Sequence, residues 1–394
     1  VGSEMCIRDR AWRINEENFL KNVDAISNLK LRLSWGQSGQ CAIDPYQTVG
    51  LLGNSTYSFN NEGAYGFYPK TMSNKELTWE TTTQYNLGLD FGFFNNRISG
   101  SIDIYKAETR DILMNRVIPS INGYASVMEN IGKTESTGVD LTLSTVNIQN
   151  KNFSWFSDFS LSHNREKIKE LASGQLKDEA NAWFVGEPFK VFYDYKKEGI
   201  WQLGEEAAAA ANGQEPGDIK VQDVDGNGVI TTDDRIIYSQ RPDVTFGFNN
   251  TFNYKGFDLS VFLYARLGQW IAYDYNTTYR INALENGGNV DYWTPENPTN
   301  AFPRPNKSKS YTQVTYYSTL KYEDGSFFKI RDITLGYTFK PELLKHLNLS
   351  RLRVYATAKN FFTFSKIDNY DPEQGGSISF PMTKQLVFGL NVEF

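Results

Sequence analysis

Residues 383–394, TKQLVFGLNVEF, decide the fold. Counting back from Phe394, every second residue is apolar: Phe394, Val392, Leu390, Phe388 and Leu386. The residues between them, Glu393, Asn391, Gly389, Val387 and Gln385, are mostly polar or small. A period of two marks one face of a β-strand, because successive side chains point to opposite sides. The strand runs to the last residue and ends on an aromatic ring. That is expected when the apolar face meets lipid and Phe394 sits at a membrane interface, where aromatic girdles ring β-barrels. The plain alternative is an edge strand of a soluble β-sandwich, and repetition of the pattern is the test.

The pattern repeats. Leu29, Leu31, Leu33 and Trp35 alternate with Lys30, Arg32 and Ser34, and Tyr85, Leu87, Leu89, Phe91 and Phe93 alternate with Asn86, Gly88, Asp90 and Gly92. Ile98, Ile102 and Ile104 oppose Ser99, Ser101 and Asp103; Val139, Leu141 and Leu143 oppose Asp140, Thr142 and Ser144. Trp155, Phe159 and Leu161, then Phe246, Phe248 and Phe252, then Phe257, Leu259, Val261 and Leu263 continue the series. Ile333–Phe339 and Leu352–Ala356 complete it. The spacing predicts about ten strands, each near the roughly 9–11 residues that cross a bilayer at a tilt. The inward acids and bases, Lys30, Arg32, Asp90, Asp103, Asp140, Asp158 and Asp258, read as groups lining a wet lumen or touching a plug.

Connection lengths give a second signal. Phe94–Arg97, Asn147–Asn152 and Lys255-Gly256 read as tight hairpin turns, and residues 340–351 as a longer turn with room for one helical turn. The alternate connections are long: Gln37–Thr81, Glu108–Thr137, Arg165–Pro242, Gly268–Gly325 and Thr363–Met382. Short turns at one end and long loops at the other is the outer-membrane barrel arrangement, with the long loops outside the cell. If the last strand ends in the periplasm, every short turn falls on that side.

Composition agrees. Aromatics make up 15% of 394 residues, yet mean hydropathy is only -0.49, as expected of a wall that is apolar on one face. No apolar run approaches the roughly 20 residues of a membrane helix. A net charge of -6 without basic blocks argues against nucleic acid. Cys6 and Cys41 are too few for a disulfide framework. With only His163 and His346, no nucleophile elbow and no phosphate loop, an enzyme is not expected. The chain begins at Val1 rather than Met, so its true N-terminus is expected upstream. Residues 1–10, VGSEMCIRDR, fit neither the alternation nor a lipid-facing strand and read as a foreign, assembly-derived segment preceding a barrel region over 11–394.

One loop carries its own chemistry. Residues 223–234, DVDGNGVITTDD, place oxygen ligands at positions one, three, five, seven, nine and twelve of a calcium loop: Asp223, Asp225, Asn227, the Val229 carbonyl, Thr231 and Asp234, with Gly228 allowing the sharp turn. Asp234 stands where Glu is usual, which shortens the reach to Ca2+. The alternative is an Asp/Asn/Gly-rich surface turn that binds nothing. On the outer side the role of the ion would be to stiffen a long loop. The same loops carry many aromatics: Tyr46, Tyr57, Tyr65, Phe67, Tyr68, Trp183, Trp201, Tyr279 and Trp293 among them. Flat rings can stack on sugars or pack loop on loop, and Trp270, Tyr273 and Tyr275, just above a strand end, are the candidate substrate-facing cluster.

An ordered run of phrases narrows the reading. They are LKLRLSWGQSG (Leu29–Gly39), LTWETTTQYNLGLDFGFFNNRISGSIDIY (Leu77–Tyr105), NIGKTESTGVDLTL (Asn130–Leu143), YWTPENPTNAFPRP (Tyr292–Pro305), DGSFFKIRDITLGYTF (Asp324–Phe339), LRVYATAKNFFTF (Leu352–Phe364), NYDPE (Asn369–Glu373) and the terminal strand. In these the chain resembles, over roughly residues 11–394, the C-terminal half of a SusC/RagA-type TonB-dependent outer-membrane transporter of the Bacteroidota. The resemblance implies an all-β antiparallel barrel of about 22 strands with a plugged lumen, of which this chain supplies about the last ten. The plug, the TonB box and the earlier strands would lie outside this chain, leaving its sheet with open edges. It also implies a SusD-like lipoprotein partner and energy from the TonB–ExbB–ExbD complex. Oligosaccharide or peptide ligands would follow, as would a C-terminal aromatic, Phe394, read by the barrel assembly machinery. The reading from a different class is a secreted or surface-attached, calcium-stabilised β-sandwich that binds glycans.

Overall fold

The computed structural model describes residues 5–41, 48–124, 126–171, 174–282, 287–344 and 348–394. Tyr46 and His346, both singled out above, lie outside them. Eleven long strands follow one another in chain order as antiparallel neighbours. We label them β1 (Met5–Arg13), β2 (Ile26–Gln40), β3 (Glu80–Phe93), β4 (Ile98–Arg110), β5 (Lys133–Gln149), β6 (Phe153–Glu170), β7 (Val244–Tyr254), β8 (Phe257–Leu267), β9 (Phe327–Thr338), β10 (Arg351–Ser365) and β11 (Gln385–Glu393). This sequence of neighbours is that of an up-and-down wall, and no helix among the described residues is long and apolar enough to cross a membrane.

The chain divides into two compact units, residues 1–143 with 162–189 and residues 144–161 with 190–394. In the first, β1 pairs with β2 from Met5 opposite Ser38 to Arg13 opposite Lys30, so residues 5–10 join the ladder despite their poor alternation. Pairing draws on backbone groups, which every residue type carries. This strand is the one beyond the ten expected. β2 pairs with β3 and β3 with β4, the latter joined by a turn in which Phe94, Asn95 and Asn96 all take positive φ.

In the second unit β7 and β8 are closed by Lys255 and Gly256, both at positive φ, the signature of a two-residue hairpin turn whose twist matches the strands. β8 pairs with β9, β9 with β10 and β10 with β11, whose register runs from Arg351 opposite Glu393 to Lys359 opposite Gln385. A helical turn, Pro341–Leu344, sits in the expected place between β9 and β10.

Exposure in the strands is the reverse of that in a soluble protein. Leu386, Phe388 and Leu390 of β11 are 62%, 78% and 62% exposed, and Leu335, Phe257 and Phe362 in the same unit, like Leu33, Leu87 and Ile104 in the first, are also exposed. Such a contiguous apolar face is what a lipid-facing wall presents. Asn250 interrupts it between Phe248 and Phe252. Its Oδ1 accepts hydrogen bonds from Trp155 Nε1 at 2.9 Å and Ser157 Oγ at 2.7 Å, and Ser157 Oγ accepts one from Asn147 at 2.8 Å. The polar island satisfies itself, as a bilayer requires.

The opposite face carries the charges. In the first unit Arg32 bridges Asp90 and Asp103, at 2.8 and 2.9 Å, with Lys30 beside Asp90 and Asn86 donating to Asp103. In the second, Arg353 Nε donates to Asp258 at 2.9 Å. Each guanidinium lies over a glycine of a neighbouring strand: a Cβ on Gly88 would come within 2.6 Å of Arg32, and one on Gly336 within 2.6 Å of Arg353 and Asp258. The missing side chain makes room for the ion pair to lie flat on the sheet.

The strands are longer than a bilayer requires. β5 has 17 residues and β6 has 18, against the roughly 9–11 needed to cross. The surplus carries the ladders toward the long connections, which hold their own hairpins, Leu52–Phe59 with Glu62–Pro69 and Leu113–Val117 with Ser126–Asn130.

Candidate functional site

The long connections of the second unit fold as a soluble protein does, around a buried core. Ile200, Ile219 and Val221 from the β6–β7 connection pack with Trp293, Tyr317 and Leu320 from the β8–β9 connection. Trp293, in the YWTPENPTN phrase, is 4% exposed and donates from Nε1 to Gln202 Oε1 at 2.9 Å. Asn300 accepts the Ile200 amide at 3.0 Å. The phrase therefore staples one connection to the other.

The calcium-type loop is an appendage of this core. Its Ile230 packs against the cluster, and the Ile230 amide donates to Asn212 Oδ1 at 2.8 Å. Carboxylate oxygens of Asp223, Asp225 and Asp234 all lie within 4.8 Å of one another. Asp223 accepts the amides of Gly226 and Gly228 at 2.8 and 2.7 Å, and Asn227 donates to Asp225 at 2.7 Å while accepting the Val229 amide at 2.7 Å. Asp234 is fully buried and caps the turn, accepting the Val224 amide at 2.8 Å and the Thr231 amide at 2.7 Å. The Thr231 amide, aided by those of Val224 and Asp225, holds the Asp234 carboxyl below the usual carboxylate range. Gly228, at φ 84°, makes the bend. Three like charges gathered this closely repel unless a cation lies among them. Each carboxylate oxygen has two lone pairs, so the amide bonds leave room for a ligand. The residues fit calcium.

The three aromatic candidates have different surroundings. Trp270 meets Tyr238 edge-on at 4.8 Å. Tyr273, 5% exposed, is buried with Ile271 and Ile367, and Tyr275 stacks on it at 5.8 Å and leans on Tyr370 at 6.0 Å. Trp201 is buried beneath Lys220, and Tyr279 is buried too. By contrast Tyr57, Tyr65, Phe67 and Tyr68, on the hairpin between β2 and β3 in the first unit, are all exposed.

Lys329 is a key position that neither the alternation nor any motif discloses. Its side chain is fully buried near the loop end of β9, and Nζ donates to Asp371 at 2.6 Å and Glu373 at 2.8 Å. Arg331 reaches Glu373 at 3.2 Å. Both acids belong to NYDPE, so the phrase anchors the β10–β11 connection to β9. A lysine among the apolar residues of FFKIRD was the available signal, since a buried charge requires a partner.

Comparison with known proteins agrees with this architecture. The TonB dependent receptor-like, beta-barrel family matches residues 10–361. TonB-dependent receptor P26 of Formosa agariphila is 33% identical over 98% of this chain and 42% of its own length. TonB-dependent receptor SusC of Bacteroides thetaiotaomicron is 33% identical over 97% of this chain and 39% of its own. The solved RagAB peptide transporter superposes with a TM-score of 0.79 at 26% identity, covering 99% of this chain and 43% of that one. The chain thus spans about two-fifths of the length of the relatives it matches. The β-sandwich alternative has no counterpart in the strand order or in these relatives. With its lipid-facing wall, its long loops and this match, the chain belongs to the TonB-dependent receptor β-barrel family of SusC/RagA type, proteins of the outer membrane.

Proposed function

We propose that the complete protein imports nutrients, oligosaccharides or peptides, across the outer membrane, energised through TonB and working with a SusD-like lipoprotein. The observation that carries this reading is the pairing of a wall that is apolar on its outer face with long connections that fold around a core of their own. A channel without recognition needs no such layer. The exposed aromatic hairpin of the first unit supports a partner contact, since rings left this open on a folded protein mark interaction surfaces. The RagAB neighbour, described as a peptide importer, favours a peptide as readily as a glycan. Uptake of labelled oligosaccharides and of labelled peptides by cells carrying the complete gene, with a plug-region TonB-box deletion as control, tests the proposal. Energy-dependent uptake of either class is the expected result, and equal uptake by the deletion strain would sink it.

The loop 223–234 is proposed to bind calcium through Asp223, Asp225, Asn227, the Val229 carbonyl, Thr231 and Asp234. Extracellular calcium modules bind at roughly 10⁻⁴–10⁻³ M, a range within reach of a loop on the cell surface. Calcium should therefore protect residues 212–234 from proteolysis, and Asp223→Ala should remove that protection. A loop equally resistant with chelator and with calcium would count against the ion.

A further inference from the structure

A second feature of the loop layer borders the Trp270–Tyr275 cluster and shares with it the turn that carries Asp274 and Tyr275. An open groove of about 770 Å³ runs between the short helical turn Asp274–Thr278 and the turns Tyr311–Gln313 and Tyr317–Lys321. Two cations, Arg280 and Lys321, line it, against one acid, Asp274. Arg280 lies over the Tyr311 ring at 5.3 Å, and Tyr311 itself is exposed. The floor is rigid: Tyr317 is buried in the loop core, and its hydroxyl donates to the Tyr279 carbonyl. Tyr316, also in the lining, is held at φ 63°, a left-handed conformation that is uncommon for an aromatic residue and concentrates at ligand-binding positions. Its carbonyl is fixed by the Thr319 amide at 2.9 Å and the Thr319 hydroxyl at 2.7 Å.

Resting on the importer reading above, we propose that this groove is a recognition site for an oligosaccharide bearing an anionic substituent, a carboxylate or a sulfate. Arg280, held over the Tyr311 ring, and Lys321 meet the charge, and the Ser318 hydroxyl and the exposed Tyr311 hydroxyl meet the neighbouring sugar. Paired cations suit this chemistry, because a guanidinium forks onto two oxygens of a carboxylate or a sulfate, and one held over an aromatic ring is already oriented. A peptide that binds by adding a strand to a sheet edge fits less well, because the groove is walled by single helical turns. An acidic peptide captured by the two cations is the competing ligand, and the triglutamate arm of the test separates it.

The test is calorimetric titration of the complete protein in detergent with four probes: trigalacturonate, a sulfated galactose trimer, neutral galactotriose and triglutamate. One of the two anionic sugars should bind, with affinity falling as salt rises, and the neutral sugar and the peptide should bind at least roughly tenfold more weakly. Arg280→Gln and Lys321→Gln should each cost about tenfold, and Arg280→Lys should recover part of the loss. Native, heat-modifiable migration of the variants separates lost recognition from lost folding. Equal binding of galactotriose, preference for triglutamate, no binding of either anionic sugar, or wild-type affinity in the double variant would each overturn the site. Uptake by cells, measured separately, distinguishes the two readings. Tight binding without uptake removes the importer and keeps the groove, whereas normal uptake of an anionic sugar by the double variant removes the groove and keeps the importer.

Discussion

At the scale of single residues, the most consequential position is Lys329. With its ammonium buried between Asp371 and Glu373, replacing it by Met leaves two largely buried carboxylates without their shared cation, Glu373 keeping Arg331 and Asp371 keeping the Glu373 amide. Breaking a buried pair from one side costs about 3–5 kcal/mol. Lys329→Met should therefore loosen the β10–β11 connection, seen as new protease cleavage within residues 366–384 on intact cells. Adding Asp371→Asn and Glu373→Gln should restore resistance in part, because neutral groups are cheaper to bury. A cleavage pattern unchanged by Lys329→Met would show that the pair is dispensable. Asp234 sets a pH dependence. Its carboxyl is held below its ordinary value by the Thr231 amide, so the stabilisation is complete above the ordinary carboxylate pKa and disappears as pH falls through the still lower folded-state value. For the calcium-free protein, the expected outcome is a loop 223–234 that loses order as pH falls below the ordinary carboxylate range. Asp234→Asn should open it at neutral pH, as amide exchange of Val224 and Thr231 would report.

At the scale of elements, the strands obey one rule on each face. Phe388 lies on the lipid side of β11, and Phe388→Arg should cost roughly 2–4 kcal/mol near mid-bilayer, measured as a lower denaturant midpoint for the complete barrel in lipid vesicles. On the other side, Gly88→Val forces a side chain into the space of the Arg32 guanidinium and should destabilise by about 1–3 kcal/mol, with Arg32→Ala partly relieving it in the double variant. These faces were legible in sequence, because a period of two survives in any strand with one apolar side. So were the turns, since Gly256, Asn95 and Asn96 are residue types that positive φ favours, although Lys255 and Phe94 beside them are not. β1 was not legible, as its pairing depends on backbone groups and leaves no alternation in MCIRDR. The full lengths of β5 and β6 were hidden as well. Beyond the bilayer both faces are wet or covered by loops, so nothing maintains the period. The convergence of Asp223, Asp225 and Asp234 was legible from spacing alone. The groove at Arg280 and Lys321 was not, because its walls come from segments about 30 residues apart that no local pattern links.

At the scale of the molecule, two solvent rules operate in one chain. The sheet turns its apolar residues outward, while Ile200, Ile219, Trp293 and Leu320 gather inward in the connections. A hydropathy average blends the two and reports neither, which is why -0.49 resembles a soluble protein. The complete protein should fractionate with outer membranes and migrate faster on gels unheated than boiled, as closed barrels do. Removing Phe394 should lower the amount inserted more than the transport per inserted molecule. The ion pair at Lys329 adds a constraint in time. Its lysine belongs to β9 and its acids come only after β10, so the charge stays without these partners until the chain has run across and returned. Docking of the β10–β11 connection and neutralisation of that lysine are thus one event, so the end of the chain closes the site that a residue of β9 opens.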